Sequence, residues 1–430
     1  MKVAILGFGV EGKSSADYWA ELGNKVTICD KNPSLNIPSR FESKLGDSYL
    51  ENLSEFDLII RSPGVHPAQI QNVPNMVTSN TNEFVSVCPT TNVISITGTK
   101  GKGTTSSLIA HILETAGKRV HIGGNIGLPP LELLKKKIEQ DDWIVLELSN
   151  FQLIDLKRSP RIAVCLLVEP EHQDWHGSVD EYVQAKQQLF RWQSEEDIAI
   201  YYSNNELSKK VVSVSAAKKI PYFSEPGAYI EGGKVIIDDT IICEVGDIRL
   251  LGKHNWQNVC AAVTAVWQVT KDNKVIKESI SSFVGLPFRL ELRGKYNGVS
   301  YYNDSFSSQP EAAIAAIEAV TMPKVVILGG YDRNLDLTKL AKTAIANDAG
   351  IKKLVLIGAS SKRLADALKN EGYENYIVDS SKSLADIVAT AKQYAVAGDA
   401  IVLSPGFPSF DMFKNFEDRG IQFNKEVPKQ

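Results

Sequence analysis

The residues with the sharpest chemical signature lie in ISITGTKGKGTTSSLIAHILETAG, from Ile94 to Gly117. An apolar strand runs into Gly98, Thr99, Lys100, Gly101, Lys102, Gly103 and Thr104, and a helix-compatible stretch follows as far as Gly117. Glycines let the backbone wrap closely around phosphate oxygens, and the free N–H groups at the start of the next helix can donate to them. Lys102 would reach the outer phosphates as a point charge, and Thr104, or else Thr105, would offer a hydroxyl to magnesium. Gly103 interrupts the usual adjacency of lysine and Ser/Thr. The competing reading is an ordinary glycine turn with a solvated lysine. Strand, loop and helix agree on the nucleotide loop.

Other groups sit where strands should end. Glu147 closes the apolar run in WIVLELSN, where a carboxylate could hold magnesium or orient its water. His172 lies in EPEHQDWHG, just beyond the strand-like IAVCLLV. His176 follows at helical spacing, so zinc is conceivable, but no third ligand accompanies the pair. Lys186, in VDEYVQAKQQLF, reads from spacing alone as a surface lysine. Near the N-terminus, VAILGFGVEGK places Gly7, Gly9 and Gly12 in a dinucleotide-type turn, and Asp30 ends the following strand, where it could accept hydrogen bonds from a nucleotide. Glu11 inside that turn would oppose a pyrophosphate. Toward the C-terminus, Asp304 and Ser305 end VSYYN, Asp332 and Arg333 follow KVVILGG, and Ser404 ends AIVL, a plausible second substrate wall.

The elements that must position these groups form an α/β rhythm. VAILGFG, KVTICD and FDLIIRSPG read as strands around a helix over 11–22, with Gly23 as its cap. The style changes near residue 90, where buried strands suit a parallel sheet covered on both faces. Residues 228–250 read as short antiparallel strands, and 256–269 as a helix. Gly285 and Pro287 punctuate the chain near Leu286, and the last third returns to strands ending at Gly, Ser or Asp. The 430 residues suit about three domains. A net charge of −4 excludes a broadly basic nucleic-acid binder. No run approaches the ~18–20 apolar residues of a membrane span. Five cysteines without ligand-like spacing suit a reducing cytoplasm.

The ordered set GTKGKGTT, HIGGNIGLP, LELSNFQL, EHQDWHGSVDEYVQAK, LGKHNWQN, GLPFRLE, YYNDSFSSQPEA, LGGYDR and LSPGFPSFDMFKNFEDRG resembles the Mur ligase family along essentially the whole chain. The last string is similar to the C-terminal signature of its glutamate-adding members. The resemblance implies an α/β fold of three domains: a Rossmann-like domain for the UDP substrate (1–91), a P-loop domain for ATP (92–287) and an α/β domain for the amino acid (288–430). It implies a cytoplasmic enzyme, expected as a monomer, using ATP and Mg2+ to join glutamate to UDP-N-acetylmuramoyl-L-alanine. The substrate carboxylate would take the γ-phosphoryl group, and the glutamate amine would then displace phosphate. Lys102 and Thr104 match the ATP and magnesium residues, and Glu147 and His172 the second magnesium site. Lys186 matches a lysine that carries a carbamate in many relatives. Asn125 matches a family asparagine that faces ATP and substrate, Asn255 and Asn258 match residues of the adenine-side pocket, Arg289 an arginine that contacts ATP phosphate, and Asp304 an acid near its ribose. Asp30, Ser62 and Gly64, with Asn125 and His172, are the expected UDP-substrate residues, and Arg333, Ser404 and Phe410 the amino-acid residues.

The chain also departs from the family pattern. Gly103 replaces Thr or Ser, Asn150 a serine and Phe288 a histidine. Phe306 stands where DSKATN has lysine, Ser308 and Gln309 replace its threonine and asparagine, and GFPS at 406–409 replaces ACAS. These changes bear on the identity of the amino acid. A ligase for L-glutamate or a modified muramyl precursor, and a noncatalytic uridine-nucleotide-binding regulator, stay open as alternatives.

Overall fold

A computed structural model describes residues 1–346 and 349–427. By compactness the chain divides into one unit of Met1–Asp247 with Trp256–Ser281, and another of Ile248–Asn255 with the residues from Ser282 onward.

The first unit carries two parallel sheets. In the N-terminal one, β1 (Lys2–Leu6), β2 (Lys25–Asp30), β3 (Glu42–Leu45), β4 (Leu58–Arg61) and β5 (Met76–Thr78) lie in the order β3-β2-β1-β4-β5. The chain reverses direction of travel between β1 and β4, and such a switch opens a crevice at the carboxyl ends of the strands. The expected helix over 11–22 spans Val10–Glu21, and Gly23 follows it at φ 79°. β3 and β5 had no sequence signal: ESKL and MVT are partly exposed edge strands without alternating apolar residues.

The second sheet holds β6 (Val93–Thr97), β7 (Val120–Gly124), β8 (Trp143–Glu147), β9 (Ile162–Cys165), β10 (Ile198–Tyr202) and β11 (Lys218–Tyr222), in the order β11-β10-β9-β6-β8-β7. β6, β8 and β9 are buried throughout, as their continuous apolar runs require. The central position of β6 sets its outgoing loop between the ends of β8 and β9. The short strands β12 (Tyr229–Glu231), β13 (Lys234–Ile237) and β14 (Thr240–Glu244) are antiparallel, as expected. The helix expected at 256–269 spans His254–Val266, starting two residues and ending three residues earlier.

The second unit holds β15 (Glu291–Tyr296), β16 (Val299–Asn303), β17 (Lys324–Gly329), β18 (Ile351–Ile357), β19 (Tyr376–Val378) and β20 (Ala400–Leu403), in the order β15-β16-β20-β17-β18-β19. Only β15 runs antiparallel. The ends of β16, β20 and β17 therefore stand side by side, which brings Asp304, Ser404 and Gly330 to one edge. Among the described residues no helix is long and apolar enough to cross a membrane. The five cysteines are free thiols.

Candidate functional site

The loop after β6 is shaped by glycine. Gly98 has φ 149° and Gly101 φ 87°. A Cβ at Gly98 would lie 2.8 Å from Leu166 Cβ, and one at Gly101 2.3 Å from Asn258 Oδ1. Neither position accepts a side chain without displacing its neighbour. The helix Lys102–Thr115 starts directly from Gly101, so the N–H groups of its first turn face the loop. Lys102 curls over this loop: its Nζ donates to the carbonyls of Gly98 (3.1 Å) and Thr99 (3.0 Å). Gly103 and Thr105 are buried and Thr104 is half-buried. Thr105 Oγ1 donates to Asn258 Oδ1 at 3.4 Å, so Thr104 carries the more accessible hydroxyl. Lys100 points outward and pairs with Glu169 at 3.1 Å.

Lys186 is not the surface lysine its spacing suggests. It is 1% exposed, and its Nζ donates to the same Gly98 carbonyl at 3.0 Å. Its ammonium also lies 4.3 Å from the ring centroid of Tyr182. Burial, and then the nearby charge of Lys102, lower its pKa from 10.5 to about 7. Tyr182 in turn shares a 2.9 Å hydrogen bond with Thr99 Oγ1. This tyrosine escaped the sequence reading. It lies four residues before Lys186, one helical turn away, and that periodicity was the available signal.

Glu147 ends β8, whose register sets it beside Ile96. Its carboxylate is buried. Oε1 accepts from Asn125 Nδ2 at 2.9 Å, while Oε2 finds no partner among the described residues. Gly124, at φ 106°, lets the Asn125 backbone approach: a Cβ there would sit 2.1 Å from the Glu147 carbonyl oxygen. A buried oxygen left without a donor is costly in isolation and suits a cation. His172 adopts φ 54°, unusual for a non-glycine residue, and its ring lies 4.9 Å from Phe151 and 6.4 Å from Tyr182. The structure sets aside a zinc pair of His172 and His176. His176 is buried, with Nε2 engaged at 2.6 Å by Asn150 Nδ2, and burial lowers its pKa to about 4. Among the described residues no three His, Cys, Asp or Glu groups gather as a metal cage.

The crevice of the N-terminal sheet collects the other expected groups. Asp30 accepts from the Phe8 amide (2.7 Å) and the Asn32 amide (2.8 Å), and Ser62 Oγ donates to Gly7 O (2.9 Å). Gly64 is exposed beside them. Glu11 accepts from Gln152 Nε2 at 2.5 Å, and burial raises its pKa to about 7. Its charge in the turn is therefore weaker than its type implies, which lessens the expected repulsion of a pyrophosphate. Arg61, unremarked in the sequence, is buried: Nε pairs with Asp155 at 2.6 Å and a terminal nitrogen donates to Phe151 O at 2.9 Å. It ties the end of β4 to the LELSNFQL segment.

In the second unit, Asp304 and Ser404 meet directly. Ser404 Oγ donates to Asp304 Oδ2 at 2.6 Å, and the Leu290 amide donates to Oδ1 at 3.0 Å. Burial raises the Asp304 pKa to about 7. Both carboxylate oxygens are thus engaged inside the fold, and Ser404 supports an acid rather than standing apart from it. Ser404→Ala leaves Oδ2 without its donor in a buried setting, so unfolding free energy should fall by about 1–3 kcal/mol in urea titration. Asn255 Nδ2 donates to Leu251 O at 2.7 Å. Arg289 lies over the ring of Phe306, 3.7 Å from its centroid. Arg333 and Phe410 are exposed, and Phe410 meets Tyr331 edge to face at 6.4 Å.

Comparison with known proteins agrees with this architecture. Residues 1–79 match the Mur ligase MurD-like N-terminal domain, 96–266 the Mur ligase middle domain, and 288–407 the Mur ligase glutamate ligase domain. A UDP-N-acetylmuramoylalanine–D-glutamate ligase of Clostridium tetani is 33% identical, covering 99% of this chain and 96% of the relative. One from Acetivibrio thermocellus is 35% identical over the same shares. Among solved structures, MurF ligase from Thermotoga maritima in complex with ADP superposes with TM-score 0.60 at 17% identity, covering 99% of this chain and 94% of that one. A UDP-N-acetylmuramate–alanine ligase from the same organism gives 0.62 at 15%, covering 99% and 98%.

Proposed function

The chain belongs to the Mur ligase family, with its three-domain α/β fold, and from that premise we propose that it is an ATP-dependent ligase joining D-glutamate to UDP-N-acetylmuramoyl-L-alanine in peptidoglycan precursor synthesis. We divide it as 1–91 for the UDP substrate, 92–287 for ATP and 288–430 for the amino acid, and read it as a cytoplasmic monomer.

The observation that carries the reading is the loop of Gly98–Thr104 with Lys102 already turned over it and the unpartnered oxygen of Glu147 on the adjacent strand. Hydroxide is a poor leaving group and phosphate a good one, so the acceptor carboxylate is activated by taking the γ-phosphoryl group. The glutamate amine then attacks the acyl carbon, and phosphate departs through a tetrahedral intermediate. The first step brings two anions together. Lys102 and the amides at the helix start offset that repulsion where charge develops. The Thr104 hydroxyl would meet one magnesium and the free Glu147 oxygen a second; magnesium binds through one or two protein oxygens and phosphates and would supply further charge neutralisation. His172 and a carbamylated Lys186 would complete that side. Asn125 fixes the Glu147 carboxylate. Asp30, Ser62 and Gly64 receive the uridine nucleotide. Asn255, Asn258, Arg289 and Asp304 serve the nucleotide triphosphate, and Arg333, Ser404 and Phe410 the glutamate.

The test is product formation by purified protein with ATP, Mg2+ and UDP-N-acetylmuramoyl-L-alanine, comparing D-glutamate with L-glutamate and other amino acids. An amide with D-glutamate, formed stoichiometrically with ADP and phosphate, is expected. Preference for L-glutamate would move the reading to a related ligase with altered amino-acid choice. Phosphate release without a new amide, or nucleotide binding without turnover, would defeat it.

A further inference from the structure

Two departures from the family pattern, Phe288 and Phe306, come together around Arg289. The Arg289 guanidinium carbon lies 3.7 Å from the Phe306 ring centroid, close stacking of a cation on a π face. Phe306 is itself held edge-on by Phe416, with centroids 4.9 Å apart at 78°. Phe288 meets the same Phe416 ring at 6.4 Å and 77°. Gly420, one turn further along that helix, leaves the space: a Cβ there would fall 2.3 Å from Phe288 Cδ1.

The backbone around Arg289 is pinned on both sides. The Phe306 amide donates to Phe288 O at 3.0 Å, and the Leu290 amide donates to Asp304 Oδ1 at 3.0 Å. The Phe288 amide is bonded in turn to Glu291 Oε2 at 3.0 Å. Both residues flanking Arg289 are left-handed, Phe288 at φ 62° and Leu290 at φ 47°. Bulky residues rarely adopt that region, and two such positions around one residue persist only where the surroundings over-determine them. Strain, clamp and ring all converge on presenting one guanidinium in one orientation.

We propose that Phe306 is a positioning residue for Arg289, a flat π support that fixes the guanidinium plane for bidentate binding of a phosphate group. The inference rests on the ligase reading above. A long cation otherwise samples many rotamers, and a planar fork binds an anion best when its plane is set in advance. A lysine at 306 would add a second charge; phenylalanine adds none and instead orders the one that is present.

The test is a double-mutant cycle in the full-length protein, read as KM for ATP and kcat in the ligase assay. Phe306→Leu keeps the apolar bulk and removes the π face; Phe306→Tyr keeps both. Phe306→Leu should raise KM for ATP by about 3–10-fold with kcat and the KM for the amino acid within about twofold, and Phe306→Tyr should stay near wild type. In an Arg289→Gln background, Phe306→Leu should change KM by less than about twofold, because its partner is gone. Equal effects of Phe306→Leu in both backgrounds, a loss with Tyr as large as with Leu, or a rise confined to the amino-acid KM would each overturn the positioning role while the ligase reading stands. A wild-type chain that forms no amide would overturn both.

Discussion

Lys102→Ala should lower the rate of ADP formation by about 10²–10³-fold, a loss of roughly 3–4 kcal/mol of transition-state stabilisation. The argument is electrostatic. Transfer of a phosphoryl group to a carboxylate opposes two anions, and Lys102 is the cation that the loop itself holds over Gly98 and Thr99. Its ammonium sits at the start of a helix whose N-terminal end already favours negative charge, so both would act on the transferring phosphate. The side chain is only half-buried, and its loss removes no core packing. The melting temperature should therefore stay within a few degrees of wild type while turnover collapses. A separate measure of nucleotide affinity distinguishes the two ways of failing. If binding is retained and chemistry lost, the charge acts in the transition state. Near-normal ADP formation by the variant would place the ATP site elsewhere in the chain.

The strand, glycine turn and helix from Val93 to Thr115 were legible in the sequence because each part has a local cause. A buried parallel strand shows as a continuous apolar run, the turn as glycines, and the helix as a capped pattern closed by Gly117. Glu147 was legible for the same reason, as the polar end of an apolar strand. Positions decided by tertiary contact were not. Lys186 lies on a helix whose buried residues include Tyr182, Val183, Ala185, Gln187, Leu189 and Phe190, so more than one stripe of that helix is covered. Spacing along the helix cannot report that. Arg61 and Arg419 are likewise buried arginines whose partners lie far along the chain: Arg61 meets Asp155, and Arg419 donates to Ser305 O and Phe407 O. The left-handed backbone at Phe288 and Leu290 has no signature in residue type, because glycine or asparagine would be the expected occupant of such φ values. The resemblance to a family supplied the roles that spacing could not, and it marked Phe306 as a departure without saying what the ring does.

Lys186 should make activity depend on carbon dioxide in a pH-dependent way. Its amine is buried against a carbonyl and a tyrosine ring, and burial together with Lys102 brings its pKa from 10.5 to about 7. At neutral pH a large fraction is therefore the free amine, the form whose lone pair attacks carbon dioxide. As the N–C bond forms the amine loses one proton to solvent and becomes a carbamate anion; counted from the ammonium, two protons leave and the charge changes from +1 to −1. The sign of the pH effect follows. Below about pH 7 the protonated amine cannot react, so protein stripped of carbon dioxide should regain activity with bicarbonate more completely at pH 8 than at pH 6. Lys186→Met should lose about 10²-fold or more in turnover and ignore bicarbonate at every pH. Stability supplies an independent readout in the stripped protein. Between about pH 7 and 10.5 the unfolded lysine holds a proton that the folded one does not, so unfolding free energy rises with pH across that window. The cost of the buried charge is complete below pH 7 and relieved above it. Lys186→Met should flatten that slope. A wild-type chain whose activity is indifferent to bicarbonate at both pH values, with the slope present, would show that Lys186 acts as a neutral amine on the Gly98 carbonyl and not as a carbamate.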